Sequence, residues 1–190
     1  MRVIDREEFF HNQDEMIRHM KTGSVFVYPT DTVYGIGCNA MVDSAVKRIR
    51  EIKNKFSRPF SVIAPSVEWI QENFVMTPET EEWLEKLPGP YTLILNIKTE
   101  GIVSEHVNNG LSTVGVRIPD HWISKAVSAI GYPIITTSAN HVGEDYMTSI
   151  DDMDPGIKSK VDFIIYEGEK HGRASRIVHL EGQEVKVRKR

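Results

Sequence analysis

Three stretches of this sequence gather side chains able to hold an anion or a small polar ligand. Arg48, Arg50, Lys53, Lys55 and Arg58 concentrate cations on and just after a helical pattern, and Arg58-Pro59 leads straight into an apolar run. Phosphate oxygens need positive charge from several directions, so such a junction has the makings of a triphosphate clamp. A solvated surface run is the commoner meaning, and Lys53 and Lys55 at a helix end also meet the negative end of its dipole. The run Thr136-Thr137-Ser138-Ala139-Asn140 places small donors and acceptors at the end of an apolar segment. Ligands usually sit at such strand ends in open α/β sheets, although Ser138 and Asn140 would equally serve a cap or an Asx turn. In Pro29-Thr30-Asp31-Thr32-Val33-Tyr34-Gly35-Ile36-Gly37, hydroxyls lie between a proline and two glycines. Glycine permits positive φ and close backbone approach, which suits a small polar ligand and equally a plain turn.

Arg117 stands inside the apolar run Val114-Gly115-Val116-Arg117-Ile118. An arginine there needs a partner, either a ligand carboxylate that fits its fork or an internal Asp or Glu. Ser175 opens a later strand-like run, as a lining residue or a strand edge. The seven histidines show no metal-ligand spacing, and His171 reads as a solvent residue. Walker A and GxGxxG patterns are absent from the sequence. Trp69, Trp83 and Trp122 read as core or groove packing and not as a base-stacking platform.

The elements that must position these residues are strands expected at 24–28, 60–64, 91–97, 114–118, 133–137, 161–166, 176–180 and 184–188. Between them come helical patterns. Phe9, Phe10, Gln13, Met16, Ile17 and Met20 predict one helix with Gly23 as its C-cap, and Asp43 is the expected cap of a helix carrying Val46, Ile49 and Ile52. Thr77-Pro78 starts a helix through Trp83, Leu84 and Leu87, and Asp120 is the expected cap of one through Ile123, Val127 and Ile130. The short link between Leu180 and Glu184 suits a hairpin, so an α/β (α+β) fold with a mixed sheet is expected. With 190 residues, 40% hydrophobic and 26% charged, the chain reads as one domain over 1–190. No stretch reaches a membrane span and the first ten residues carry acid, so a cytoplasmic protein without a membrane partner is expected. Cys38 alone forms no internal disulfide, and a net charge of −4 argues against a chain built mainly to hold nucleic acid.

Taken in order, YPTDTVYGIGCNA (28–40), AVKRIREIKNK followed by RPFSVIAPS (45–66), PGPYTLIL (88–95), VGVRIPDH (114–121), PIITTSAN (133–140) and ASRIVHL (174–180) resemble the YrdC/TsaC family, the threonylcarbamoyl-AMP synthases. The resemblance implies a single-domain twisted mixed sheet flanked by helices, with a large concave cavity. It implies a nucleotidyltransferase making L-threonylcarbamoyladenylate and pyrophosphate from L-threonine, bicarbonate and ATP. Such a product supplies N6-threonylcarbamoyladenosine in ANN-decoding tRNAs through a downstream tRNA threonylcarbamoyltransferase. No tightly bound cofactor and no protein metal ligand are implied, and Mg²⁺ comes with ATP. The family's K-x-R and S-x-N positions fall on Lys53 and Lys55 and on Ser138 and Asn140, which would be catalytic. Thr32, Arg117 and Ser175 match threonine-binding positions. Arg58, Thr113, Thr148 and Arg188 match the ATP side, together with Lys53, Lys55, Ser138 and Asn140.

The sequence departs from the pattern in that Lys55 replaces the usual arginine, the loop before Pro59 is one residue short, and Arg176 and His179 stand where Thr and Asp are usual. Ending at Arg190, the chain is expected to work without the further domain of longer members. Two other readings compete: a non-catalytic RNA-binding relative, with weak tRNA contact, and a carbamoyl-adenylate-handling relative.

Overall fold

The computed structural model describes residues 1–54, 56–141 and 143–189. In chain order they form β1 (Arg2–Ile4), α1 (Arg6–His11), α2 (Gln13–Lys21), β2 (Phe26–Tyr28), β3 (Gly35–Gly37), α3 (Asp43–Lys53), β4 (Ser61–Ile63), α4 (Val67–Asn73) and α5 (Pro78–Leu84). Then follow β5 (Tyr91–Asn96), α6 (Glu105–Asn108), β6 (Thr113–Arg117), α7 (Ile123–Ile130), β7 (Ile134–Ser138), α8 (Pro155–Lys158), β8 (Phe163–Ile165), β9 (Arg176–His179) and β10 (Lys186–Arg188). The strands join in one sheet ordered β1-β8-β2-β3-β7-β4-β6-β5-β9-β10. Pairs β1/β8, β2/β8, β4/β6 and β5/β9 run parallel and the others antiparallel, so the sheet is mixed, and β9 and β10 make the expected hairpin. No helix of the described residues is long and apolar enough to cross a membrane.

Side chains alternate between the faces of a strand, and here the alternation sorts the core into two layers. Val27, Val62, Ile135 and Ile164 point to one face, where Val46, Ile49 and Ile52 of α3, Ile70 of α4, Leu84 of α5 and Val107 of α6 cover them. Phe26, Tyr28, Ile63, Ile134, Phe163 and Ile165 point to the other, beneath Phe9 of α1, Met16 and Met20 of α2, and Ile123, Val127 and Ile130 of α7. Each fully buried aliphatic or aromatic side chain contributes about 2 kcal/mol relative to an exposed one.

Several boundaries differ from those expected. The 9–20 pattern is two helices, because Asn12 adopts φ −108° and ψ 29° and turns its amide back to the Glu8 carbonyl at 3.0 Å. Asp5 caps the first, accepting from the Glu8 N–H at 2.7 Å. Thr22 is the C-cap of α2, and Gly23 comes after it at φ +98°, the left-handed residue that lets the Ser24 N–H return to the His19 carbonyl. Asp43 is the first residue inside α3, where it meets the helix dipole without capping. Asp120 does not cap α7. Its N–H donates to Asp31, and the Ile123 N–H finds His121 Nδ1 at 3.3 Å instead. Thr77 caps α5 as expected, accepting from the Thr80 N–H. β1 and β3 escape the sequence pattern, one for shortness and one because Gly-Ile-Gly carries no strand preference, while α4, α6 and α8 are too short for their period to show.

The glycines of β3 serve packing. Neither has positive φ; they leave room for the Tyr28 ring, which lies over Gly35 and Gly37 and donates its hydroxyl to the Ile135 carbonyl at 2.9 Å. Burial pushes the Tyr28 hydroxyl pKa well up, so it remains a donor. A Cβ at Gly37 would lie 2.2 Å from the Ile135 carbonyl oxygen. Gly37→Ala therefore forces β3 away from β7 and should cost about 3 kcal/mol, measured as a shifted urea midpoint. A wild-type midpoint would contradict this packing.

Candidate active site

The sheet face bearing Ile134 and Ile63 changes character along its strands. One step along β7 the same face carries Thr136 and then Ser138, and one step back along β4 it carries Ser61. No helix of the described residues contributes to the lining of this polar half. It forms the floor of a cleft lined by Thr30, Thr32, Tyr34, Ser61, Thr92, Arg117, Thr136, Ser138 and Ser175, among others. Thr136, Ser61 and Gly115 stand in one row across three strands. Gly115 is required there, since a Cβ would come within 2.5 Å of the Ser61 hydroxyl.

Arg117 ends β6 at one end of this floor, its side chain 6% exposed. Of the two partners open to it from sequence, the structure supplies the internal one, Asp31, whose carboxylate takes Nη2 and whose second oxygen accepts from the Asp120 N–H at 3.2 Å. Nη1 donates to the Thr32 hydroxyl at 3.3 Å. Nε is buried without a hydrogen-bond partner among the described residues. Burial works to lower the Arg117 pKa and outweighs the upward pull of Asp31, yet a guanidinium stays charged in the physiological range. The turn that presents Asp31 and Thr32 is held from within. Thr30 Oγ1 donates to the Val33 carbonyl at 2.7 Å and accepts from the Thr32 N–H at 3.1 Å. The 29–37 segment is thus a hydroxyl-braced turn followed by a strand.

At the other end, the basic and small-polar motifs meet. Lys53, the last residue of α3, is 3% exposed, and its ammonium donates to the carbonyls of Ser138 and Asn140. Asn140 in turn donates to the Glu144 carbonyl at 2.6 Å. A buried cation thereby sits under the turn that carries Ser138 into the cleft. Ser175 and Thr92 share a hydrogen bond of 2.7 Å on the opposite wall. Lys55 lies outside the described residues. Arg48 and Arg50, also in the basic cluster, are framework residues. Arg48 pairs with Asp162 at 2.8 Å, and buried Arg50 donates to the His106 carbonyl at 2.6 Å and stacks on the Phe60 ring.

Lys53 and Asn140 adjoin the Ser138 end without lining the cleft, and Arg58, Thr113, Thr148 and Arg188 do not line it either. Arg58 is exposed beyond α3, the Thr113 carbonyl accepts from Asn108, and Thr148 is engaged with Asp152. Arg188 is exposed on the edge strand β10, opposite Ile177. Sequence reading passed over Thr92 and Ser61 as lining residues, because their roles depend on which strands become neighbours. Asp31 was visible within its motif without any signal of its partner.

One wall is a strap, residues 167–175, laid over the Thr32 turn. A Cβ at Gly172 would fall 1.7 Å from the Thr32 carbonyl oxygen, so the two backbones touch. Glu167 fastens the near end. Its carboxylate meets His121 and Trp122 Nε1 at 2.8 Å and Lys170 at 2.6 Å, and its N–H donates to the Tyr34 hydroxyl, which itself donates to the Gly168 carbonyl. Burial raises the Tyr34 hydroxyl pKa to about 12, so it keeps its proton. Burial alone would raise the Glu167 pKa, but the Lys170, Trp122 and His121 bonds outweigh it and the net value lies below 4.5. A depressed carboxylate contributes stability that is complete above its unfolded value and is lost as pH falls through the lower folded one. The latch therefore holds at neutral pH and weakens only as acid reaches the lowered Glu167 value. Glu167→Gln should speed amide exchange across 167–172 by about tenfold with little change in Tm, since it loosens a local unit. Unchanged exchange would remove the latch.

The Sua5/YciO/YrdC family model, described as telomere recombination, matches residues 18–190. A threonylcarbamoyl-AMP synthase of Xanthomonas euvesicatoria is 32% identical over 161 residues, 80% of this chain and 83% of that one. Another, of Pyrococcus abyssi, is 36% identical over 166 residues, 85% of this chain and 48% of that protein, so the chain spans about half of that relative. The solved structure of P. abyssi Sua5 complexed with L-threonine superposes with a TM-score of 0.85 at 30% identity, covering 98% of this chain and 56% of that one. With the family model matching all but its first 17 residues, this chain belongs to the Sua5/YciO/YrdC family.

Proposed function

We propose that this chain is a threonylcarbamoyl-AMP synthase. The observation that carries the reading is the cleft itself: a buried guanidinium at one end, a buried ammonium beneath a serine turn at the other, and a hydroxyl floor between. An amino acid and a nucleoside triphosphate need such an arrangement if they are to react side by side, with the protein supplying positioning and charge.

In the reaction, the threonine amine attacks the carbon supplied by bicarbonate, and water leaves to give a carbamate. A carbamate oxygen then attacks the α-phosphorus of ATP, the bond to the β-phosphate oxygen breaks, and pyrophosphate departs with its electron pair. Arg117 takes the threonine carboxylate, and Thr32 and Ser175 hold its polar groups. Ser138 and Asn140 orient the α-phosphate, over the charge of Lys53. Lys55 and Arg58 serve the departing pyrophosphate, with Thr113, Thr148 and Arg188 assigned to the nucleotide by resemblance alone. Mg²⁺ enters as part of the ATP substrate, held mainly by phosphate oxygens. The product is a mixed anhydride, and its acyl group passes to ANN-decoding tRNA through a separate transferase in the cytoplasm.

Pyrophosphate release from purified protein with ATP and Mg²⁺ should require both threonine and bicarbonate, because the attacking oxygen does not exist until they combine. Release that ignores threonine overturns the reading. Serine should be a poorer substrate by less than about tenfold, one methyl being worth ~1 kcal/mol. Ser138→Ala should lower kcat about 10²-fold, as expected for losing one preorganised group. Arg117→Lys should raise the threonine KM by about tenfold and leave the ATP KM nearly unchanged, since an ammonium lacks the bidentate fork.

A further inference from the structure

The Arg117 subsite faces a selectivity problem. A buried guanidinium at the floor of a cleft attracts any anion, and multiply charged phosphate oxygens would be held at least as well as a single carboxylate. In the proposed reaction both kinds of anion occupy one cleft, with the phosphates at the Ser138 end. Entry of phosphate at Arg117 would shut out the amino acid.

We propose that Asp31 is the specificity-determining positioning residue that reserves Arg117 for one small carboxylate. This rests on the assignment of Arg117 to threonine. Asp31 is not among the residues lining the cleft; it pairs with the guanidinium, its side chain 10% exposed, and acts through it. Its two oxygens have two jobs. One holds Nη2, and the other accepts from the Asp120 N–H at 3.2 Å, tying the carboxylate to the turn before α7. With Nη1 on Thr32, the plane of the guanidinium is set from both sides. Nε is buried without a partner among the described residues, and a buried donor left unused costs stability.

Charge completes the argument. With Asp31 in place, Arg117 and its partner together carry no net charge, so a polyanion arriving there gains directed hydrogen bonds but a much reduced Coulomb attraction, while it still loses its water. A zwitterionic amino acid carries no net charge either and gives up less hydration. Its carboxylate meets the guanidinium donors as a short-range, oriented contact, so the pair favours it over phosphate.

The test is L-threonine binding by calorimetry, without nucleotide, with and without excess inorganic phosphate. In the wild type, threonine should bind and phosphate should leave its affinity within about twofold, whereas in Asp31→Asn the affinity should fall by about tenfold and phosphate should compete. Asparagine has a single acceptor oxygen for two donors and no charge to offset the arginine. Asp31→Glu keeps the charge and should keep phosphate out, even if its longer stem weakens threonine. Phosphate displacing threonine from the wild type overturns the proposal without recourse to any variant. So does an Asp31→Asn protein that binds threonine as tightly as wild type, or one that loses threonine without admitting phosphate. Should Asp31→Asn fail to fold, the wild type and Asp31→Glu carry the same test. A wild type that binds no threonine overturns the functional reading itself, and is thereby distinguished from failure of the Asp31 assignment.

Discussion

A β-strand turns every second side chain to the same face, and that face need not keep one character from end to end. In β7 the series Ile134, Thr136, Ser138 runs from the apolar core under α7 into an open cleft, and in β4 Ile63 and Ser61 do the same in the other direction. Everything else about the site follows from this change. Helices α1, α2 and α7 cover the apolar half because water is driven from it; no helix of the described residues lines the polar half, because burying its hydroxyls would cost more than it returned. The same strands that make the core stiff therefore make the floor of the site stiff.

Tyr28 stands at the border between the two halves. Its ring needs two glycines beside it, and its hydroxyl needs a carbonyl, which Ile135 provides. The Gly-Ile-Gly strand is thus a packing solution that happens to line a cleft. Two buried cations meet the other demand of the site, charge without water. Lys53 is surrounded by carbonyls of the Ser138–Asn140 turn, and Arg117 is balanced by Asp31. Each arrives in the site already desolvated and oriented, so little reorganisation is left for the moment of binding.

The wall formed by 167–175 is of another kind. It has no strand or helix of its own, and it is held by Glu167, by the Tyr34 hydroxyl and by the contact of Gly172 with the Thr32 backbone. Segments pinned by a few side-chain bonds open at lower free energy than core strands. The site therefore combines a floor of paired strands with a wall held by a small set of side-chain bonds and backbone contacts.

From the sequence alone, strand and helix periods, the mixed sheet, the arginine buried in an apolar strand and the polar row after Pro133 were all legible, because each is a local pattern of residue types along a few consecutive positions. The meeting of Lys53 with Ser138 and Asn140 and the choice of Asp31 as partner of Arg117 were not. Asp31 and Arg117 lie 86 positions apart, and Lys53 and Asn140 lie 87 apart. A pairing over that distance leaves no mark on the period of either segment, and it exists only once strand order has brought the two ends of the sheet face together. The sequence likewise determined that Gly35 and Gly37 would be glycines, but only tertiary packing decided why: the Tyr28 ring and the Ile135 carbonyl occupy the space a side chain would need.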